Sequence, residues 1–428
     1  MNRPQGSAAP TLPKNIWAPI CAFAATSSAN QMAWLVFAPI ATSAGSYYHV
    51  SAADVGVLSE IFPLLYVLLA VPAGRLVDKS MTAWLAIAAS LDATGALVRL
   101  GATGHGSFAW ALGGQVLVAC AQPLLLASLT SLARRYLLPA QRAAGIAVGS
   151  AGTFAGFILA YAVAGSLGGG RPGAVLAVGA GYSVATCGVF GWFLWRYRCA
   201  GTVAQPALPA PSKEATKLRS LWADPVMRDL GVLVACGFGV FVSLTTWAQT
   251  LLVPARVSAG TVDALLTAML VAGALTSAVM PGTLTRHGRQ LAFIVVAGLA
   301  TIAACAVLAA APGRYSAAIC LFAVGALLLP CLPVMLEVTE RRYNQSPAMA
   351  ANFLWLAGNA GGIVAAVATG AESALPWLSF ATMGFFILLA VPSATRLRGK
   401  LGGGDSSPGT GTPGEVAARL VEQRRVTT

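Results

Sequence analysis

Charge is scarce in this sequence. Only 10% of its 428 residues are Asp, Glu, Lys or Arg, whereas 57% are hydrophobic, and a chain of that size with so little polar surface cannot coat a water-soluble globule. Histidine is scarcer still. His49, His105 and His287 lie far apart, outside the long apolar stretches, so no histidine cluster exists for a metal centre or for acid–base chemistry. The eight cysteines (Cys21, Cys120, Cys187, Cys199, Cys236, Cys305, Cys320 and Cys331) form no CxxC pair and no Cys/His cluster, which argues against a disulfide framework or a zinc site. Gly-x-Ser-x-Gly and paired catalytic aspartates are also missing. An enzyme is not expected, and no metal or cofactor is called for.

What the sequence has is long apolar runs. A hydrocarbon core about 30 Å thick needs roughly 20 mostly apolar residues per helical crossing, and twelve such stretches can be counted. They run approximately over 15–41, 53–74, 81–101, 108–132, 143–165, 173–196, 229–253, 261–284, 291–311, 317–338, 348–369 and 377–394. The expected fold is an all-α membrane protein of twelve spans. With the N-terminus taken as cytoplasmic, 23 of the 27 basic residues fall on inside segments, and only Arg99, Arg171, Arg256 and Arg314 on outer ends. This asymmetry obeys the positive-inside rule and requires an even number of spans. The net charge of +13 is therefore topological and does not mark a nucleic-acid surface. The expected location is the plasma membrane, multi-pass, with both termini in the cytoplasm. The first apolar stretch lacks a small-residue cleavage site and contains Asn30 and Gln31, so it reads as a retained span.

The segment from Cys199 to Arg228 separates two sets of six spans. Domain limits follow: a cytoplasmic N-terminus over 1–14, a first bundle over 15–198, a linker over 199–228, a second bundle over 229–395 and a disordered tail over 396–428. The linker begins Pro-rich, while Leu218, Leu221, Trp222 and Val226 suit a short amphipathic helix on the membrane surface. Two halves joined by a basic linker suggest a parallel repeat of the kind used for alternating access. A local check supports it: Gly74-Arg75-Leu76-Val77-Asp78-Lys79 follows span two, and Gly282-Thr283-Leu284-Thr285-Arg286 follows span eight, each opening Gly-x-Leu.

The first of these loops resembles the signature loop of the major facilitator superfamily. That resemblance implies a fold of two pseudo-symmetric six-helix bundles, and it implies that Gly74, Asp78 and Lys79 form a loop whose Asp braces the halves against a helix end. Within the superfamily the chain resembles the feline leukaemia virus subgroup C receptor-related transporters, associated with choline, ethanolamine and haem. The residues that carry this are Asn30-Gln31-Met32-Ala33-Trp34, Leu58-Ser59, Gly114-Gln115, Ala121-Gln122-Pro123, Gly149, Gly152, Gly156 with Phe157, Leu332-Pro333-Val334, Glu337, Glu340 and Tyr343, about half of the chain. Three positions depart: the family's Gln in span five falls on Ala151, its Tyr in span seven on Val242 and its Gln in span eleven on Asn359. Trp34 keeps one face of an aromatic cage for a quaternary ammonium, which needs at least two, with Trp247 or Trp355 as replacements for the other. Drug/proton antiporters of the superfamily usually carry an Arg inside span four and a Gly-Pro pair in span five. Neither occurs here, although efflux does not require them.

In this fold spans one, four, seven and ten line the cavity, so mid-span polar groups there and in the adjoining span eleven are the substrate-binding candidates: Asn30, Gln31 and Trp34; Gln115 and Gln122; Thr246, Trp247 and Gln249; Trp355 and Asn359. The plainer reading is that such groups join helix to helix. Charges deep in a span are costly and functional by default. Glu60 lies about two turns into span two, and Asp92 mid-way along span three, two turns from Arg99 on one face. At about 1.5 Å per residue both acids come to roughly 10 to 14 Å depth, so a Glu60, Asp92, Arg99 cluster is expected. Two desolvated carboxylates sharing one arginine favour a proton on one of them; the alternative is an ion pair that clamps spans two and three. The expected function is secondary transport of a small organic solute, such as an organic cation or amine, by alternating access, with a proton as possible co-substrate, as a monomer in the bilayer. A proton-coupled drug or metabolite efflux pump and a transporter-like receptor without flux are the alternatives.

Overall fold

The computed structural model of the chain describes residues 16–103, 107–138, 141–167, 172–197, 218–343 and 347–401. The expected N-terminal segment, most of the linker and the tail beyond 401 lie outside them. The described residues form α1 (Ala18–Leu35), α2 (Ala41–Tyr48), α3 (Ala52–Val98), α4 (Phe108–Tyr136), α5 (Arg142–Leu167), α6 (Pro172–Arg196), α7 (Leu218–Ala223), α8 (Pro225–Leu252), α9 (Ala259–Arg286), α10 (Gln290–Ala310), α11 (Arg314–Leu328), α12 (Cys331–Arg342), α13 (Pro347–Ala371) and α14 (Pro376–Leu401). Eleven helical segments are long and apolar enough to cross a membrane. The helix α1 is the remaining span. It is less apolar because it carries Thr26, Ser27, Ser28, Asn30 and Gln31, and all five are buried inside the bundle, so its polar groups never meet lipid.

Three boundaries differ from the sequence expectation. The first span stops at Leu35, and the short helix α2 follows outside the bundle, ended by His49 in the left-handed conformation with φ 57. Spans two and three are two helices, Asp54–Val77 and Lys79–Ala102, that run together within α3 with only a kink at Ser80 (φ −158, ψ 77) between them. The expected loop at Gly74, Asp78 and Lys79 is therefore helical, because nothing in Arg75-Leu76-Val77 breaks a helix and the turn is made at one residue. Likewise Gly282 to Arg286 belong to α9, and the chain turns at Gly288 with φ 62. Span ten is two helices, α11 and α12, separated at Leu329 and Pro330.

In the first half α1 packs on α4, α5 and α6, and α3 packs on α4 and α6; in the second, α8 packs on α13 and α14, and α11 on α9 and α10. The halves meet where α3 touches α13 and where α5 touches α9. Glycine permits the closest approaches. A Cβ on Gly156 of α5 would sit 2.3 Å from the Ser28 carbonyl oxygen of α1, and one on Gly361 of α13 would sit 2.1 Å from the Ala235 carbonyl oxygen of α8. The two contacts are counterparts in the repeat, span five on span one and span eleven on span seven.

One end of the second half, where α8 begins and α12 ends, is pinned by Asp224. Its side chain caps α8 by accepting from the Val226 amide at 2.8 Å, and it also accepts from the Tyr343 hydroxyl at the end of α12. Burial by itself raises the Asp224 carboxyl, but the Tyr343 hydroxyl, the amides of Val226 and Met227 and the charge of Arg342 outweigh it and hold it below its ordinary value. A carboxyl depressed by folding contributes stability above its unfolded pKa, about 4, and loses it as pH falls through the folded value. Asp224→Ala is expected to cost about 1 kcal/mol at pH 7, read as a lower thermal midpoint in detergent. The gap to the parent protein should narrow below pH 4; a gap independent of pH would contradict this account.

Candidate functional site

The seam between the halves is lined by aromatic side chains. Trp34 of α1 is buried, donates its indole N–H to the Ser59 carbonyl at 2.8 Å and stacks on Phe62 with ring centroids 5.7 Å apart and planes at 4°. Phe157 of α5 meets it edge-on at 5.7 Å, and Phe238 of α8 closes on it from the other half at 6.2 Å. Phe241 lies 5.4 Å from Phe157 and from Phe238, and Trp355 of α13 stands edge-on to Phe238 at 5.8 Å.

Beside this cluster is a cavity with about 890 Å³ of unfilled space, its open mouth included. One wall is α5, through Ser150, Thr153, Phe154 and Phe157. The opposite wall is Phe238, Phe241 and Trp355, and the floor is the break between α11 and α12, from Leu328 to Leu336. No charged side chain lines it. The break is chemically open: Pro330 and Pro333 have no N–H, so the carbonyls of Ala326 and Leu329 lose their helical donors.

The amides of the first half lie away from the cavity, in its core. Asn30 donates to Asp92 Oδ1 at 2.8 Å and to the Val118 carbonyl at 3.0 Å. Gln31 reaches Asn30 Oδ1, and Gln122 reaches Gln31 Oε1, each at 3.4 Å, while Gln122 Oε1 is buried without a partner. Gln115 donates to the carbonyls of Leu58 and Ala33. Of the expected Glu60, Asp92, Arg99 cluster, Asp92 and Arg99 stay within electrostatic reach of each other without a direct hydrogen bond, and Glu60 joins neither. Asp92 accepts from Asn30, from Ser183 at 2.5 Å and from Cys187 at 3.5 Å, so it ties α3 to α1 and α6. Arg99 donates to the Ala33 carbonyl and to Gln115 Oε1 at 2.9 Å. Glu60 sits apart, both carboxylate oxygens buried with no hydrogen-bond partner. Spacing along α3 puts Asp92 and Arg99 on one face, but their polar neighbours on α1, α4 and α6 are nearer than either is to the other.

In the second half, Trp247 donates to the Ala366 carbonyl at 2.9 Å, Thr246 Oγ1 is buried and unpartnered, and Asn359 donates back to the Trp355 carbonyl at 2.8 Å. Of the ten candidate substrate residues only Trp355 lines the cavity. Gly74 faces Asn352 of α13, whose Nδ2 would lie 2.9 Å from an added Cβ. Lys79 is exposed, and the Asp78 side chain lies outside the described residues. The sequence reading misses Phe154, Phe157, Phe238 and Phe241, although each pair recurs at i, i+3 near mid-span, which is a readable signal for one aromatic face. It also misses the inter-half hydrogen bonds. On the side expected to face the cytoplasm Tyr66 donates to Asn352 Oδ1 at 2.7 Å, and Asn352 donates to the Ala70 carbonyl at 3.1 Å. On the opposite side Tyr161 donates to the Thr245 carbonyl at 2.5 Å, and Gln249 donates to the Pro39 carbonyl at 3.3 Å.

Residues 23–367 match the family model described as Major Facilitator Superfamily. Among solved structures, a bacterial homologue of the iron transporter ferroportin in an outward-facing state superposes with a TM-score of 0.67 at 15% identity, covering 89% of this chain and 98% of that one. A bacterial homologue of the human lysosomal transporter Spinster, inward-facing and unoccupied, gives 0.63 at 16%, covering 91% and 96%. The E. coli fucose:proton symporter gives 0.61 at 17%, covering 87% and 98%. An uncharacterized protein of Archaeoglobus fulgidus is 27% identical over 151 residues, 35% of this chain and 69% of its own length.

Asn352 carries both hydrogen bonds on the side of the seam expected to face the cytoplasm. At about 1 kcal/mol each, Asn352→Ala is expected to shift the balance toward a cytoplasm-open form by roughly 30-fold, and Tyr66→Phe by roughly fivefold. Labelling of a cysteine placed at Ser150 by a thiol reagent added on the cytoplasmic face measures it. Equal labelling rates in the three proteins would refute the latch.

Proposed function

The chain belongs to the major facilitator superfamily, and on that premise we propose that it moves a small organic cation or amine across the plasma membrane by alternating access. The observation that carries this is the cavity at the seam. Its walls offer the faces and edges of Phe154, Phe157, Phe238, Phe241 and Trp355 and no charged side chain. Aromatic faces attract a cation by about 0.5 to 2 kcal/mol each, more when water is excluded. At the floor, where α11 ends and α12 begins, Pro330 and Pro333 leave the carbonyls of Ala326 and Leu329 without helical donors, so they can accept from an ammonium N–H or bear on a cation. An anion meets no positively charged side chain there among the described residues, only the hydroxyls of Ser150 and Thr153 and the indole of Trp355. A sugar finds only Ser150, Thr153 and Cys331 for its hydroxyls.

The resemblance to choline and ethanolamine transporters points to the same ligand chemistry, with different residues supplying it. Trp34 is committed to Phe62 and to the Ser59 carbonyl, so Trp355 and Phe238 provide the cage faces. Transport follows from exchanging the two sets of seam contacts. When Asn352 releases Tyr66 and Ala70 the cytoplasmic side parts, and when Gln249 and Tyr161 release their carbonyls the outer side parts. The basic residues of the inner segments orient the protein with both termini in the cytoplasm, and the seam lies within a single chain, so a monomer suffices.

A thermal-shift screen of the purified protein against choline, ethanolamine, haem, other small organic cations and uncharged analogues of the same size tests the assignment. A cation is expected to raise the melting temperature and its uncharged analogue to do so less. Trp355→Ala should weaken that ligand about tenfold and lower its uptake into proteoliposomes in proportion. A larger shift from anions or sugars than from any cation would overturn the substrate class, and binding without uptake would favour a receptor.

A further inference from the structure

The outer seam contains a carboxylate that the sequence reading passes over. Asp263 lies one turn into α9 and is buried. Its Oδ1 accepts from Gln249 Nε2 at 2.5 Å, and the same nitrogen donates across the seam to the Pro39 carbonyl at 3.3 Å. A side-chain amide has two N–H bonds, so one group serves both acceptors. Tyr161 of α5 completes the seal through its hydrogen bond to the Thr245 carbonyl.

We propose that Asp263 is the proton-binding residue that governs the outer gate. As a carboxylate it only accepts, and it fixes the Gln249 amide with its nitrogen turned toward both Asp263 and Pro39. As a carboxylic acid it also donates. Its O–H takes the amide oxygen of Gln249, and the turn of the amide that brings this about sets oxygen against the Pro39 carbonyl, acceptor against acceptor. Binding a proton therefore removes a hydrogen bond between the halves, and losing it restores the bond. Asp263 is near the outer end of its helix, so the proton arrives from the outer side as the seam parts.

The neighbouring elements leave this switch to Asp263. At its level α5 brings Tyr161, the turn between α8 and α9 brings Arg256, exposed, α10 brings Cys305, and α11 brings Arg314 and Tyr315, both exposed at its outer end, and Cys320. The charged residues of α8 and α12 lie toward their cytoplasmic ends, and Asp263 makes no ion pair among the described residues. The inference rests on the alternating-access reading but not on the identity of the solute.

The test is a distance across the outer seam, measured by pulsed electron resonance between spin labels at Ser166→Cys of α5 and Gly260→Cys of α9. The full chain is used in nanodiscs, with Cys21 and Cys199 replaced by Ser. Between pH 8 and pH 5 the protein is expected to move from a short toward a long distance, the open-to-closed ratio rising roughly fivefold for one hydrogen bond. Asp263→Asn should show the long distance at both pH values, and Asp263→Glu should recover the response. Gln249→Leu, which keeps the carboxylate and removes the donor, should match Asp263→Asn. A pH response that survives in Asp263→Asn or in Gln249→Leu overturns the assignment. If the outer distance never changes and labelling of the Ser150 cysteine is also unaltered by Asn352→Ala, alternating access itself fails.

Discussion

Inside a bilayer a polar group has no water to turn to, so the amides, hydroxyls and carboxylates of the spans must find partners within the protein. That requirement shapes the first half of this molecule. Because α1 carries five polar side chains within six residues, it is tolerated only where α4, α5 and α6 surround it. Its Asn30 then donates to Asp92 and to the Val118 carbonyl and accepts from Gln31. The close approach at Gly156 follows, since the α5 backbone must come near enough to shield α1 from lipid.

The same requirement separates what the sequence discloses from what it hides. The membrane spans are legible because lipid acts on whole segments: apolar length is a property of composition. Pairings are not legible, because they depend on rotation of each helix about its axis and on its neighbours. Asp92 and Arg99 share a face of α3, yet each is claimed by a different set of groups, and Glu60 on the preceding span joins neither. Trp34 reads as a cavity residue by its resemblance and proves to be a structural stack with Phe62. Trp355, one candidate among ten, reaches the cavity because α13 turns it toward Phe238. Asp263 is passed over because an acid one turn inside an apolar segment reads as its boundary. Its significance comes from Gln249, fourteen residues earlier in the chain.

The seam is built to be reversible. Each side is held by two cross-half hydrogen bonds, each worth about 1 kcal/mol net, while the aromatic cluster between them is apolar and non-directional. Contacts of that size are small beside the packing within each half. The halves can therefore exchange partners without loss of their own cores, which is the physical content of a two-state transporter.

The repeat is imperfect at one place, and that imperfection distributes the motion. Span four is a continuous helix, α4, from Phe108 to Tyr136, whereas its counterpart in the second half is divided at Leu329 and Pro330. Both spans lose backbone donors at proline, at Pro123 in α4 and at Pro330 and Pro333 in span ten, but only span ten is interrupted, and a helix bends most readily at such a break, so deformation gathers there. The cavity wall contributed by α12 is then the compliant surface and the α5 wall the fixed one. A solute pressed between them is sized by the side that yields, which permits a family of related shapes in place of a single one.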